Sequence, residues 1–301
     1  MRLSIIIVSW NVSELLLGCL SSLPLDDPEV EVIVVDSAST DGTPERVAAT
    51  FPKVHLITSR DNLGYSRGNN LGFAAARGAL WMVLNPDTAV APGAIETLSK
   101  YLETHPETAC VGPSLVYGNG TSQSSRRRFP TLQTAIFEST WLRSLAPRGV
   151  LAAYYGEDWP SDRPVEVDWL VGAALLLRAD AVRQVGGFDE GFFMYSEELD
   201  LCRRLKAAGW RIAHVPEARV THFEGQSSAQ VRAATHLRFN RSKIRYFRKH
   251  HGALQAAVLT WVLRLNFVGQ AVIEACKWLI GHRRPLRAQR VADYLHVLAR
   301  L

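Results

Sequence analysis

Three carboxylates crowd one short stretch of this chain: Glu197, Glu198 and Asp200 fall within four positions, after the aromatic tract Phe192-Phe193-Met194-Tyr195 and at the start of a helical pattern. Neighbouring negative charge and an apolar approach raise a carboxyl pKa, while a helix N-terminus lowers it. A carboxylate balanced in this way can take a proton from a hydroxyl. The competing reading, that acidic residues favour any first helical turn, covers one or two of the three. Trp10 directly follows an apolar run, so its ring can stack on a nucleobase. Asp36 or Ser37, after the next run, can hydrogen-bond the base edge or a ribose. A core aromatic and a helix cap are the alternatives there. Asn62, Gly64, Arg67, Gly68 and Asn70 form a glycine-rich turn leading into a helix, where backbone amides and a guanidinium suit a phosphate. The spacing is not the GxGxxG fingerprint, which counts against a dinucleotide-dependent oxidoreductase. Asn85-Pro86-Asp87 reads by itself as a turn.

The elements that must position these groups follow from periodicity. Short apolar runs at 4–9, 31–35, 54–58 and 80–85 predict strands buried on both faces, and helical patterns at 12–20, 43–50 and 66–77 lie between them. Alternating strands and helices imply a parallel sheet with helical cover. Such sheets bind ligands at the carboxyl ends of their strands, where Trp10-Asn11, Asp36-Ser37, Arg60-Asp61-Asn62 and Asn85-Pro86-Asp87 stand. A helix near Pro92 and a strand at 109–116 follow. Residues 117–168, rich in Gly, Ser, Pro and Arg, predict an irregular inserted loop region. Order resumes at 167–178, with a helix at 197–210, a strand at 211–215, a tract ending at 220–227, and helix from about 229 onward.

Composition bounds the class. The chain has 301 residues, 47% hydrophobic and 21% charged, which is globular and neither disordered nor fibrous. The net charge of +5 is unevenly placed: residues 1–230 carry 20 Lys and Arg against 27 Asp and Glu, whereas residues 231–301 carry 14 against two. This asymmetry predicts a body plus a surface that meets something anionic. No nucleic-acid-binding motif accompanies the charge, so nucleic acid is not the expected partner. Arg241, Lys243, Arg245, Arg248 and Lys249 fall within nine positions, and Leu254, Val258, Trp261, Leu265, Val268, Val272 and Leu279 then recur at helical spacing. Packing on the body, a homodimer interface and docking on an anionic membrane are three compatible readings of that region. Arg264, Glu274 and Lys277 interrupt its apolar stretch and argue against a bilayer span. The four scattered cysteines have no metal spacing and fit a reducing compartment, and the N-terminal apolar run is too short for a signal peptide.

Five segments occur in order: SIIIVSWN, VIVVDSASTDGT, DNLGYSRGNNLG, LNPDT and GGFDEGFFMYSEELDLCRRLKAAGW. In sequence and spacing they resemble the inverting family 2 glycosyltransferases over residues 2–228, and within that family the bacterial rhamnosyltransferase-like members that build surface polysaccharides. The resemblance implies an α/β GT-A fold, a Rossmann-like, mixed but mainly parallel sheet with a helical C-terminal extension. A catalytic domain at 1–228 would divide into a donor half to about 116 and an acceptor half at 117–228, with a basic amphipathic region at 229–301. It implies nucleotide-sugar contacts at Trp10, Asn11, Asp36, Ser37, Asn62, Gly64, Arg67, Asn70, Asn85 and Gly172. LNPDT stands where the family carries its Asp-x-Asp motif, with Asn85 replacing the first acid and Asp87 retained. Asp87 and His222 would then hold a divalent cation, Mg2+ or Mn2+, on the diphosphate, since one carboxylate, phosphates and waters make an ordinary shell. His214 is expected to be structural. Glu198 would be the base, Glu197 would orient it or the acceptor, and Asp200 would support the helix start. The expected partners are a nucleoside diphosphate sugar donor, with dTDP-rhamnose foremost, and a glycan or polyprenyl-linked acceptor. The expected location is cytoplasmic, peripheral on the inner face of the cell membrane. The Asn85 departure leaves room for a catalytically silent glycan-binding or scaffold protein.

Overall fold

The computed structural model describes residues 2–147, 149–223 and 232–301, with side chains of 232–234 left out. The expected boundary at 228/229 and the end of the 220–227 tract therefore lie outside the described residues. In chain order the first half runs β1 (Leu3–Ser9), α1 (Ser13–Ser21), β2 (Val30–Ser37), α2 (Thr43–Thr50), β3 (His55–Ser59), α3 (Gly64–Ala75), β4 (Leu80–Leu84), β5 (Thr88–Val90), α4 (Ala94–Thr104) and β6 (Thr108–Val116). The short strands β7 (Ser122–Gln123) and β8 (Arg126–Arg127) follow, then α5 (Leu132–Ser139), a 3-10 turn (Trp141–Leu145) and α6 (Val150–Tyr154). Next come β9 (Val165–Glu166), β10 (Trp169–Leu170), β11 (Ala174–Arg178), α7 (Ala179–Val185), α8 (Glu197–Ala207) and β12 (Arg211–His222). Three helices close the chain: α9 (Arg232–His251), α10 (Ala253–Leu279) and α11 (Arg284–Arg300).

The chain divides into two compact units. The first takes in 2–129, 155–193 and 197–223 and is built on one sheet of order β3-β2-β1-β4-β11-β6-β12-β5. β1 pairs in parallel with both β2 and β4, so the strand order reverses at β1 and opens a crevice at the carboxyl ends of β1 and β4. β11 runs antiparallel between β4 and β6, and the sheet is mixed beyond that point. Ile5, Ile6 and Ile7 of β1 and Met82 and Val83 of β4 are wholly buried, as continuous apolar runs require. β3 differs from expectation: it is the outermost strand, and His55 and Thr58 are exposed. Gly68 and Gly72 allow α3 to lie on β1, because a Cβ at these positions would collide with Val8 and Ile6.

The second unit takes in the described parts of 130–154, residues 194–196, and α9 to α11. Part of the segment predicted to be irregular is therefore helical. The start of α5 is fixed by a capping box in which Thr131 and Thr134 bond each other's backbone N–H. α10 packs most extensively on α11, and also on α9 and α5. Its inward face carries Leu259, Leu263 and Phe267. At 27 residues α10 is long and apolar enough to cross a membrane, which the interrupting charges argue against in the sequence.

Candidate active site

The carboxyl edge of the sheet collects the chemical groups. In register, Ser9 of β1 lies beside Asp36 of β2. Both are buried, Asp36 Oδ2 accepts from the Ser39 amide, and Asp36 Oδ1 and Ser9 Oγ have no hydrogen-bond partner. Leaving buried oxygens unmatched is costly, so the pair fits a polar ligand such as a base or ribose. Asp36 is not a helix cap: α2 begins at Thr43 after Gly42 and has no side-chain cap, and Asp41 beside it accepts from the Ser13 and Thr43 amides. Asn11 has a left-handed backbone (φ 53), and its side chain accepts from the Thr40 amide, tying the β1 and β2 loops together. Trp10 is half-buried beside it.

The glycine-rich turn differs from the expected phosphate cradle. The Leu63 amide donates to Ser37 Oγ (2.7 Å), Gly64 to Asn62 Oδ1 (3.0 Å) and Tyr65 to the Phe193 carbonyl (2.7 Å). These amides are satisfied within the protein. Gly64 sits at φ +70, with Phe193 filling the space that a Cβ would need. Asn62 and Ser37 are therefore joined as a loop clasp, and Arg67 is exposed on α3. Asn70 holds the backbone of Phe188 in both directions and also donates to Glu190, a structural engagement.

Between β4 and β5, Asp87 and His222 come together, with 3.3 Å from the carboxylate Oδ1 to Nε2. Pairing of Thr88 with His222 at the β5–β12 edge sets this meeting, and the Phe223 amide donates to the Asp87 carbonyl. The Asn85 amide nitrogen stands 3.5 Å from the same His222 Nε2. Gln123 Oε1 lies 3.1 Å from His222 Nδ1. With Gln123 as acceptor the Nδ1 proton leaves the Nε2 lone pair free for a cation shared with Asp87, the arrangement of metal-binding histidines. Among the described residues no cluster of three or more His, Cys, Asp or Glu could hold a metal. One carboxylate and one imidazole nevertheless fit a divalent cation whose remaining positions belong to phosphates and water. His214 is buried and its pKa is lowered to about 4 by loss of solvent and by Arg126, so it is neutral and structural.

Glu197 and Glu198 open α8 after two residues, Tyr195 and Ser196, in left-handed conformation (φ 72 and 66). Such backbone costs of order 1–3 kcal/mol per residue and gathers at functional sites. Burial raises both carboxyl pKa values. The neighbouring charge of Glu198 adds to the rise at Glu197, while the amides of Glu198, Gly172 and Leu199, with Arg127, pull Glu198 back. Oε2 of each acid has no hydrogen-bond partner. Gly172 lies against Glu198, since a Cβ there would stand 3.4 Å from its side chain. Its carbonyl accepts from the buried Tyr65 hydroxyl at 2.7 Å. The Asn85 amide donates to the Ala173 carbonyl (2.9 Å), so the Asp87–His222 pair and the glutamate pair flank one β4–β11 junction. Tyr65 feels the charge of Glu197, Glu198 and Asp87, which hold its phenol well above the usual range after burial has raised it. Asp200 departs from the catalytic set: it bonds Arg204 Nε at 2.7 Å, and Arg204 in turn donates to the Val185 and Gly187 carbonyls. It braces the approach to α8.

Sequence reasoning missed Ser9, Tyr65, Gln123 and Arg127. A serine ending a strand, a tyrosine in a glycine-rich turn and a glutamine among serines carry no motif. Only the Arg126-Arg127-Arg128 run offered a signal.

Comparison with known proteins gives a consistent picture. The family model "Glycosyl transferase family 2" matches residues 4–155, and "Glycosyl transferase family group 2" matches 82–283. The chain is 34% identical over 280 residues to the N-acetylglucosaminyl-diphospho-decaprenol L-rhamnosyltransferase of Mycobacterium tuberculosis, covering 87% of this chain and 89% of that protein. It is 29% identical over 231 residues to the rhamnosyltransferase WbbL of Escherichia coli K12, covering 73% and 82%. The structure of the mannosyltransferase PcManGT from Pyrobaculum calidifontis, in complex with GDP-Man and Mn2+, superposes with a TM-score of 0.57 at 19% identity over 99% of this chain and 86% of that one. The fold is GT-A, and the chain belongs to glycosyltransferase family 2, among its rhamnosyltransferase-like members.

Proposed function

We propose that this glycosyltransferase moves L-rhamnose from dTDP-rhamnose to a polyprenyl-linked glycan acceptor, with inversion and with a divalent cation, at the inner face of the cell membrane. The observation that carries the mechanism is that the Asp87–His222 pair and the Glu197–Glu198 pair flank the β4–β11 junction, close enough for Asp87 and both glutamates to act on the Tyr65 phenol. Likeness to the two rhamnosyltransferases supports the sugar and the acceptor.

In this reading Trp10, Ser9 and Asp36 receive the nucleoside. Asp87 and His222 would hold a divalent cation, whose charge when bound would offset the negative charge that grows on the departing diphosphate. An imidazole ligand suits Mn2+ better than Mg2+, which prefers an all-oxygen shell. Glu198 takes the proton from the acceptor hydroxyl as its oxygen forms a bond to the anomeric carbon. The bond from that carbon to the diphosphate breaks on the opposite face, and its electrons leave with the phosphate oxygen. Glu198 is the base because it is partly accessible and is held by backbone amides, whereas Glu197 is more deeply buried. The raised pKa of the pair makes transfer increase with pH as Glu198 loses its proton.

The test is incubation of the purified protein with a panel of nucleotide sugars and a short-chain polyprenyl-diphospho-N-acetylglucosamine, with Mn2+ or Mg2+, and mass analysis of the lipid fraction. A deoxyhexose added only from dTDP-rhamnose supports the proposal. A different sugar added, or donor binding without transfer, overturns it.

A further inference from the structure

The apolar stripe expected at 254–279 is present on α10, but it faces outward. Leu254, Trp261 and Leu265 are 78%, 64% and 66% exposed, and Val258, Val268 and Val272 continue the same face. The polar residues of the helix are turned inward within its own unit. Asn266 Oδ1 accepts from the Trp141 amide at 3.1 Å, and buried Glu274 pairs with Arg287, Lys277 and Arg290. A soluble helix has its polar face outward; α10 is apolar on its outward face as well as its inward one. The basic cluster of α9 is less available than its sequence suggests. Lys243 is buried and paired with Glu138 (2.7 Å), and Arg241 donates to the Arg300 carbonyl.

We infer that the outward face of α10 docks this protein on an anionic phospholipid membrane, lying in the interface by apolar burial, with basic groups on the headgroups. It does not cross, because Asn266 and Glu274 in its second half are engaged inside the unit. Charge selects the occupant. Arg264 lies over the Trp261 ring, and exposed Arg284 lies over Trp278 beside exposed Arg283. No acidic residue is exposed on α10 or in the 280–283 turn. A second copy of this chain would bring the same basic face, which has no exposed acid to answer the arginines, whereas anionic headgroups answer them, and tryptophan and arginine suit the water–lipid boundary. The inference rests on the lipid-linked acceptor of the proposed function only for its purpose, and its test involves no sugar transfer.

The full-length protein is mixed with vesicles of phosphatidylglycerol and phosphatidylethanolamine, or of phosphatidylcholine, and floated on a density gradient at low salt and at about 0.5 M salt. The wild type should float with the anionic vesicles, remain largely bound in high salt, and show a blue-shifted tryptophan emission quenched by brominated lipid. Val258→Gln/Trp261→Gln/Leu265→Gln, at exposed positions that leave packing intact, should reduce partitioning at least ~10-fold. Arg245→Gln/Arg248→Gln/Lys249→Gln should reduce it less. Circular dichroism matching the wild type keeps the comparison valid, and single substitutions replace the triple if it unfolds. Wild-type protein that stays in the dense fraction overturns the inference, as does a dimer that the α10 triple variant converts to monomer without changing flotation.

Discussion

The Asp87 carboxylate and the His222 imidazole stand 3.3 Å apart, although Asp87 lies in the turn between β4 and β5 and His222 ends β12, far along the chain. The antiparallel pairing of Thr88 with His222 makes that meeting a consequence of sheet register. A one-residue slip would turn His222 to the other face of the sheet.

If this pair holds the cation on the diphosphate, Asp87→Ala removes metal-dependent donor binding and leaves the fold intact. Titration calorimetry of dTDP with Mn2+, and again after chelation, checks this. Wild-type donor binding should fall on chelation to the level of the variant. Equal affinity in wild type and variant with Mn2+ present would remove Asp87 from the site.

If Gln123 Oε1 accepts from His222 Nδ1 and so leaves Nε2 for a metal, Gln123→Leu should weaken Mn2+ binding by about 10–100-fold with little change in stability. Paramagnetic resonance of free Mn2+ reads the affinity directly. An unchanged affinity means that the imidazole is oriented without Gln123.

Glu197 has a pKa raised well above its ordinary 4.5, so the folded chain retains a proton that the unfolded chain releases. Below about pH 4.5 both states are protonated and the group contributes no difference; above that value stability falls as pH rises through the folded pKa. Glu197→Gln removes this penalty. Its gain in stability over wild type should grow as pH rises above about 4.5. Thermal melts across that range check it, and a gain that shrinks with rising pH contradicts the burial account.

Asp200 is wholly buried against Arg204, so Asp200→Ala leaves the guanidinium without its carboxylate and should cost about 3–5 kcal/mol. Urea unfolding measures this. A cost under about 1 kcal/mol would mean that the two backbone carbonyls hold Arg204 unaided.

The sequence revealed what is local. Apolar runs placed β1, β2 and β4, and the carboxylates of Glu197 and Glu198 were visible because they adjoin. The Asp87–His222 pairing was reached only through motif resemblance, since a register between distant strands leaves no local trace. The engagement of the Leu63 and Tyr65 amides in the glycine-rich turn was not legible, because their acceptors, Ser37 and the Phe193 carbonyl, lie far along the chain. The α10 stripe was legible as a periodicity, but a helix with apolar residues on both faces does not declare which is outward. That was decided by Asn266 and Glu274 finding partners inside the unit.

The central claim, that Glu198 takes the acceptor proton, is tested most directly by single-turnover transfer with Glu198→Gln and Glu197→Gln beside the wild type, at saturating donor and measured donor affinity. Glu198→Gln should bind donor as the wild type does and transfer at least ~10²-fold more slowly. Glu197→Gln should retain the larger share of the rate. Normal transfer by Glu198→Gln together with an inactive Glu197→Gln would contradict the account and assign the base to the other member of the pair.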